Sequence, residues 1–298
     1  MAINAPTTSD AARLAAARRE PSRAAQVWRA FARRKVAMAA LGVLLLIVLA
    51  CLLAPWIAPY GPTDGAVTDR LKEVGSPGHP LGTDEQGRDI LSRILYGGRL
   101  SLLSGVLPVV LAGLIGGGLG VAAGYFGGWT NTIIMRALDI VFSFPAILLA
   151  IGISAALGPG IGNIIISATV VFIPPIARIA ESATKEVRKE EFIEAAKTSG
   201  AGAGLIVRSH VLRNIFGKLF VFATSQIGVC LMVASGLSFL GLGVSPPTPE
   251  WGFMLNNLKQ LIFVNPIVTI VPGLFIFLTS LSLNLVSDAL SDALEIKR

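Results

Sequence analysis

The chain has 298 residues, of which 53% are hydrophobic and only 14% charged, with 32 glycines, two cysteines, two histidines and a formal net charge of +7. A soluble domain carries about 25% charged residues, so this composition, with a mean hydropathy of +0.70, points to a membrane protein, which the helical spans placed below make all-α. Nucleic-acid binding is not expected, because the distribution of the basic residues has a topological explanation given below.

The first 35 residues start Ala/Thr/Ser-rich and become arginine-rich. They are expected to form a cytoplasmic tail, poorly ordered over its first 20 or so residues, with a basic amphipathic patch toward "WRAFARRK" at the membrane surface. Residues 36–58 then hold 23 apolar and small residues, roughly 34 Å of helix at about 1.5 Å per residue, which is enough to span a bilayer. Their length and the long segment before them favour an uncleaved anchor over a signal peptide. A loop follows at 59–99, with the turn-rich "HPLGTDEQGRD" and then "ILSRILYGGRL", read as a short helix leading into the next span.

Charge-free runs farther on place spans at 102–124, 134–156, 161–181, 216–240 and 266–288. The run 140–177 is too long for one helix, and "LGPGIG" at 157–162 supplies the turn that divides it. Six spans result. In the second, Gly113/Gly117, Gly116/Gly120 and Gly120/Gly124 are each four apart, so one face is predicted to pack closely against a neighbouring helix. Prolines at 108, 145, 174, 175 and 272 invite kinks that neighbouring helices can accommodate. Asp139 is expected to meet Arg136 or interfacial water near the cytoplasmic end of the third span; a transport role is the alternative.

Orientation follows from the basic residues. The first 35 residues hold eight Lys/Arg and 178–218 another eight, whereas 59–99 holds five against six acids and 241–265 holds only Lys259. The positive-inside rule puts the N-terminus, the 183–213 arm and the C-terminal segment 291–298 in the cytoplasm.

Cys51 and Cys230 fall in apolar runs and read as small buried hydrophobes, and His79 and His210 lie outside the spans, so no metal site is expected. "GAGAG" at 200–204 lacks the lysine and spacing of a nucleotide loop. No span carries the titratable pairs of a proton-coupled carrier or a hydrolase, so energy for uphill transport must come from outside this chain. The arm is the exception to the apolar pattern, with eight charges between Lys185 and Lys197. No glycine or proline interrupts Thr184–Lys197, and Glu186–Lys189, Arg188–Glu191 and Glu194–Lys197 are opposite charges at i, i+3, which predicts a helix. Val187, Phe192, Ile193, Ala195 and Ala196 give it an apolar and small-residue surface. Gly200 offers a left-handed stop. So long and regular a loop is expected to dock on a soluble partner.

"EAAKTSG" followed by "HVLRN" resembles the cytoplasmic loop of bacterial ABC-importer permeases. "HPLGTDEQGRDILSRILYGGRLSL" (79–102), "GYFGGW" (124–129), "LDIVFSFPAILLAI" (138–151) and "LSFLGLGVSPPTPEWGFML" (237–255) resemble the dipeptide/oligopeptide/nickel subfamily, specifically its second permease subunit. The resemblance implies a type I importer permease fold in the bacterial inner membrane, with a core domain at 100–290. It implies as partners a homologous permease, two ATP-binding cassette ATPases and an extracytoplasmic solute-binding protein, besides membrane lipid. ATP and Mg would be held by the ATPases, with no cofactor, metal or catalytic residue in this chain. Glu194, Ala195, Ala196 and Gly200 match the coupling signature, which in the family sits in a cleft of the ATPase. Asp84, Arg88 and Asp89 are either a periplasmic rim near the binding protein or a clamp on their own loop, and the density of turn residues favours the clamp. Two positions depart from the family pattern: Arg213 stands where a proline usually precedes Asn214, and Pro174–Pro175 replace a more usual aromatic pattern. A peptide is the expected solute, with nickel or another small solute as the alternative. A stand-alone secondary carrier is the rival mechanism.

Overall fold

The computed structural model describes residues 23–295; the N-terminal stretch expected to be poorly ordered and the terminal Ile-Lys-Arg lie outside the described residues. Among the described residues the structure is helical, with three isolated bridges in the 59–89 region in place of a sheet. Helix α1, Arg23–Ala32, is followed by α2, Lys35–Leu52, and a single turn, α3, at Ala54–Ile57. Pro55 lies in the first turn of α3, where its missing N–H costs nothing, so the expected anchor at 36–58 is one long helix with a restarted end.

Asp89 caps α4, Ile90–Phe126, by accepting from the Ser92 N–H at 2.8 Å. The short helix expected in the loop and the second span are therefore one element of 37 residues. At about 1.5 Å per residue it exceeds a hydrocarbon core of about 30 Å, so its first turns belong to the loop layer. Pro108 lies inside it. Sequence and structure differ most at the third span. Instead of one helix at 134–156 there are two, α5 (Gly128–Phe142) and α6 (Ala146–Leu157), bent by 86° at the break between them. Pro145 holds an extended backbone there, and the residue before a proline disfavours helix. Among the described residues, five helices are long and apolar enough to cross a membrane, and six spans are reached when the bent pair is taken as one.

The glycine turn appears where expected, with Gly158 and Gly160 at φ +85° and +153°, and α7 runs Ile161–Val187. A short helix α8, Glu191–Thr198, precedes α9, which covers Ala203–Phe239 and includes a π-helical turn at Val207–Val211. Helix α10 is Trp251–Leu258, and α11, Pro266–Glu295, closes the chain.

The most extensive helix contact is α4 against α7. A Cβ at Gly116 would lie 2.6 Å from the Ile173 carbonyl oxygen, and one at Gly124 would lie 2.7 Å from that of Glu181. At Gly120 it would strike the Ala177 carbonyl and sit 2.7 Å from the Ala180 Cβ. This is the close backbone approach that small residues allow in lipid, where packing rather than water exclusion drives association. Gly113 faces open space and Gly117 meets Leu219, so the packing stripe is Gly116–Gly120–Gly124. The central core joins Val109 and Ala112 of α4, Ala150 of α6, Ile164, Phe172 and Ile176 of α7, and Cys230, Ala234 and Leu237 of α9. A buried Ser154–Ser167 hydrogen bond of 2.7 Å ties α6 to α7.

Helix α2 packs on α11. At one end, Phe31 and Ala37 meet Ala289 and Ala293. At the other, Ile47 and Cys51 meet Trp251, beside Phe275.

Candidate functional site

The arm divides into two helices where the sequence predicts one. Helix α7 ends at Val187, Arg188–Glu190 form a turn, and α8 begins at Glu191. The physical reason is a buried anchor. Ile193 is 0% exposed and packs with Val121 and Tyr125 of α4, Ala183 of α7, and Ile206, Val211 and Ile215 of α9. A continuous helix would follow the axis of α7; the turn folds α8 back so that Ile193 reaches this pocket. Glu186 pairs with Lys218 of α9 at 2.5 Å, which ties the end of α7 to its neighbour.

Helix α8 ends on a Schellman motif. The Ala201 N–H donates to the Ala196 carbonyl at 3.0 Å, the Gly200 N–H donates to the Lys197 carbonyl at 3.0 Å, and Gly200 has φ +83°. A Cβ at Gly200 would meet nothing within 4 Å, so the demand there is conformational, not steric. Glu194, Ala195, Ala196 and Gly200 thus lie on one short helix and its cap. Glu194, Ala195 and Gly200 are exposed and Ala196 is half-buried. Glu191 and Glu194 sit in the first turn and Lys197 in the last, an order the helix dipole favours. Of the apolar residues on the arm, Ile193 points inward, while Phe192 is exposed and lies 6.1 Å from the His210 ring. An apolar cavity of about 310 Å³, lined by Val121 and Phe126 of α4 and Ala203 and Val207 of α9, opens nearby. Beyond it the π-helical turn at Val207–Val211 delays the regular helix to Leu212, next to Arg213.

Asp139 meets Arg178 of α7 at 2.6 Å, with Arg136 farther away at 3.9 Å. The sequence supplied Arg136 as its neighbour, but only the crossing of α5 over α7 brings Arg178 near. The Arg178 guanidinium also lies over the Phe142 ring at 4.6 Å. Asn131 of α5 donates to Glu181 of α7 at 2.6 Å, and Lys185 pairs with the same carboxylate.

At the opposite end of the bundle, Asp84, Arg88 and Asp89 are all buried. Arg88 Nε donates to Asp84 at 2.7 Å, and the other Asp84 oxygen accepts from the Gln86 and Arg88 N–H groups. Asp89 accepts from the Ser92 hydroxyl at 2.7 Å and meets His79 Nδ1 at 3.0 Å. Arg93 donates to the Pro62 and Pro247 carbonyls at 2.8 and 3.2 Å. These contacts fasten the loop to itself and to the segment before α10. At the outer edge of the loop, a hydrogen bond from Lys72 holds the Asp69 carboxyl below its usual range.

Glu250 lies within the quoted 237–255 stretch but is not among the candidate site residues, although an acid between Pro249 and Trp251 at the end of an apolar run is a visible N-cap signal. It is 1% exposed and accepts from the Gly252 and Phe253 N–H groups at 3.0 and 2.9 Å and from the Ser101 hydroxyl at 2.8 Å. Trp251 Nε1–H donates to the Ile94 carbonyl at 2.9 Å. Glu250→Ala would strand three buried donors. A loss of about 2–4 kcal/mol is expected, read as a lower thermal midpoint of the purified protein, with Glu250→Gln retaining part of the stability.

Residues 116–297 match the family model described as the binding-protein-dependent transport system inner membrane component, which covers more than half of the chain. The chain belongs to this permease family. Residues 22–73 of the permease match a second model, the N-terminal TM domain of oligopeptide transport permease C. The permease is 44% identical over 273 residues to the glutathione transport system permease protein GsiD of Pectobacterium atrosepticum, covering 91% of this chain and 90% of the relative. It is 45% identical, with the same coverage, to the proteins of that name from Escherichia coli O6:K15:H31 and Shigella boydii serotype 4. It is thus a multi-pass inner-membrane permease of an ABC importer, of the dipeptide/oligopeptide/nickel subfamily.

Proposed function

We propose that this permease pairs with a second, homologous permease to form the pathway through which an ATP-driven importer moves small peptides across the inner membrane. Two cytoplasmic ATPases hold ATP and Mg and dock on the 183–213 arm, and an extracytoplasmic binding protein delivers the solute to the opposite face. The chain itself catalyses no reaction. The observation that carries this reading is α8. It is seated on the bundle through buried Ile193 while Glu194, Ala195 and Gly200 stay exposed. A helix gripped from behind and free in front transmits motion from a partner to α4, α7 and α9, which line its seat.

Both the N-terminal helix and the end of α11 are assigned to the cytoplasm with α8. The excess of Lys/Arg in 1–35 and 178–218 supports this orientation. A peptide solute is supported by the relatives, whose name specifies glutathione, itself a small peptide. Competition decides the solute class. Uptake of radiolabelled glutathione or a dipeptide by the reconstituted importer with its binding protein should saturate and be blocked by excess unlabelled peptide. Uptake of nickel salts with no peptide uptake would replace this solute assignment.

A further inference from the structure

The basic N-terminal segment is structurally committed in a way that the import reading does not use. Between Arg23 and Lys35 there are five cations and no acid. Helix α1 is not a loose tail over its described length. Phe31 is 4% exposed against Ala37, Ala289 and Ala293, with Val27 and Ala30 packed around it. Arg34 forms an ion pair with Asp292 near the end of α11. This fixes which side chains are taken and which remain. Arg29, Arg33 and Lys35 are exposed and, among the described residues, have no acid within 4.0 Å. Trp28, next to Arg29, is 54% exposed.

We propose that Trp28, Arg29, Arg33 and Lys35 form a binding surface for the headgroups of anionic phospholipids. Three observations support this. The surface begins at the first residue of the spanning helix α2 and is held at the end of α11, so it lies at headgroup level. Three cations without an acidic partner in that layer attract anionic lipid cumulatively. An indole is amphipathic, with an apolar ring and a polar N–H, and favours the same layer. Arg34 is held by protein, so it orients the surface rather than contributing to it. Because α1 is bolted to α11 as well as joined to α2, bound lipid would hold the first and last spanning helices together.

The test uses the assembled importer in phosphatidylcholine nanodiscs with or without about 25% phosphatidylglycerol, a content that gives a strongly anionic surface, followed by detergent extraction and native mass spectrometry. The wild type should retain phosphatidylglycerol preferentially, and retention should fall as salt is raised. Arg29→Gln/Arg33→Gln/Lys35→Gln should weaken retention roughly a hundredfold. Asp292→Asn, which leaves all three cations and frees Arg34 from its pair, should retain it at least as well as the wild type. Equal retention by the triple variant, or equal retention of phosphatidylcholine and phosphatidylglycerol by the wild type, would overturn the proposal. A triple variant that fails to assemble is replaced by the single Arg33→Gln variant, for which unchanged retention and unchanged salt dependence overturn it equally.

Discussion

Replacing Glu194 by Lys and Gly200 by Val together is expected to lower ATP-driven uptake at least tenfold while the protein still inserts in the membrane at normal levels. The two changes act on different links. Glu194 is exposed on α8, so charge reversal alters the face offered to a partner and leaves the Ile193 seat untouched. Gly200 holds φ +83°, a backbone region that a β-branched residue occupies at a cost of roughly 1–3 kcal/mol. The Schellman cap would therefore open and α8 would lose its fixed end. A tenfold change corresponds to about 1.4 kcal/mol, so the strain alone is of the right size to weaken docking measurably. Uptake and ATPase copurification at wild-type levels in the double variant would remove α8 from the coupling role.

The second large effect is expected inside the bundle. Gly120→Leu should lower the thermal midpoint of the purified permease by several degrees and loosen α4 from α7. The reason is geometric. Even a Cβ at this position collides with the Ala177 carbonyl and the Ala180 side chain, and both belong to backbone or near-backbone atoms that have no rotamer to yield. Overpacking of a well-filled site typically costs about 1–3 kcal/mol, and here the added isobutyl group must push two long helices apart. Gly113→Ala is the matched control, since nothing lies within 4 Å of its Cβ position and Ala is the better helix former. It should leave the midpoint unchanged or slightly raised. A Gly120→Leu protein as stable as the control would show that this stripe is not the packing seam.

Much of this arrangement is legible in the residues, because lipid narrows the choices. Runs without charge had to become spanning helices, two of the three i, i+4 glycine pairs, Gly116/Gly120 and Gly120/Gly124, meet a neighbouring helix as read, and the turn at Gly158–Gly160 had to interrupt a run too long for one crossing. Gly200 could also be read in advance, since a left-handed cap is one of the few places that demands glycine. What could not be read depends on contacts between distant segments. The helical composition of Thr184–Lys197 predicts one helix, and nothing local reveals that Ile193 has a pocket waiting on α4 and α9. The partner of Asp139 likewise depends on how α5 crosses α7, which periodicity does not encode. The 86° bend at Pro145 falls between these cases. The proline announced a kink, but its size is set by α6 packing onto α7 through Ala150 and Ser154.

The central claim, that this permease works only as one part of an ATP-driven machine, is tested most directly by reconstituting it with and without its ATPase subunits and measuring peptide uptake into liposomes. With both permeases, both ATPases, the binding protein and internal ATP, uptake should proceed against a gradient, and omission of the ATPases or of ATP should abolish it. Concentrative uptake by the permease alone, driven by a proton or sodium gradient, would contradict the account.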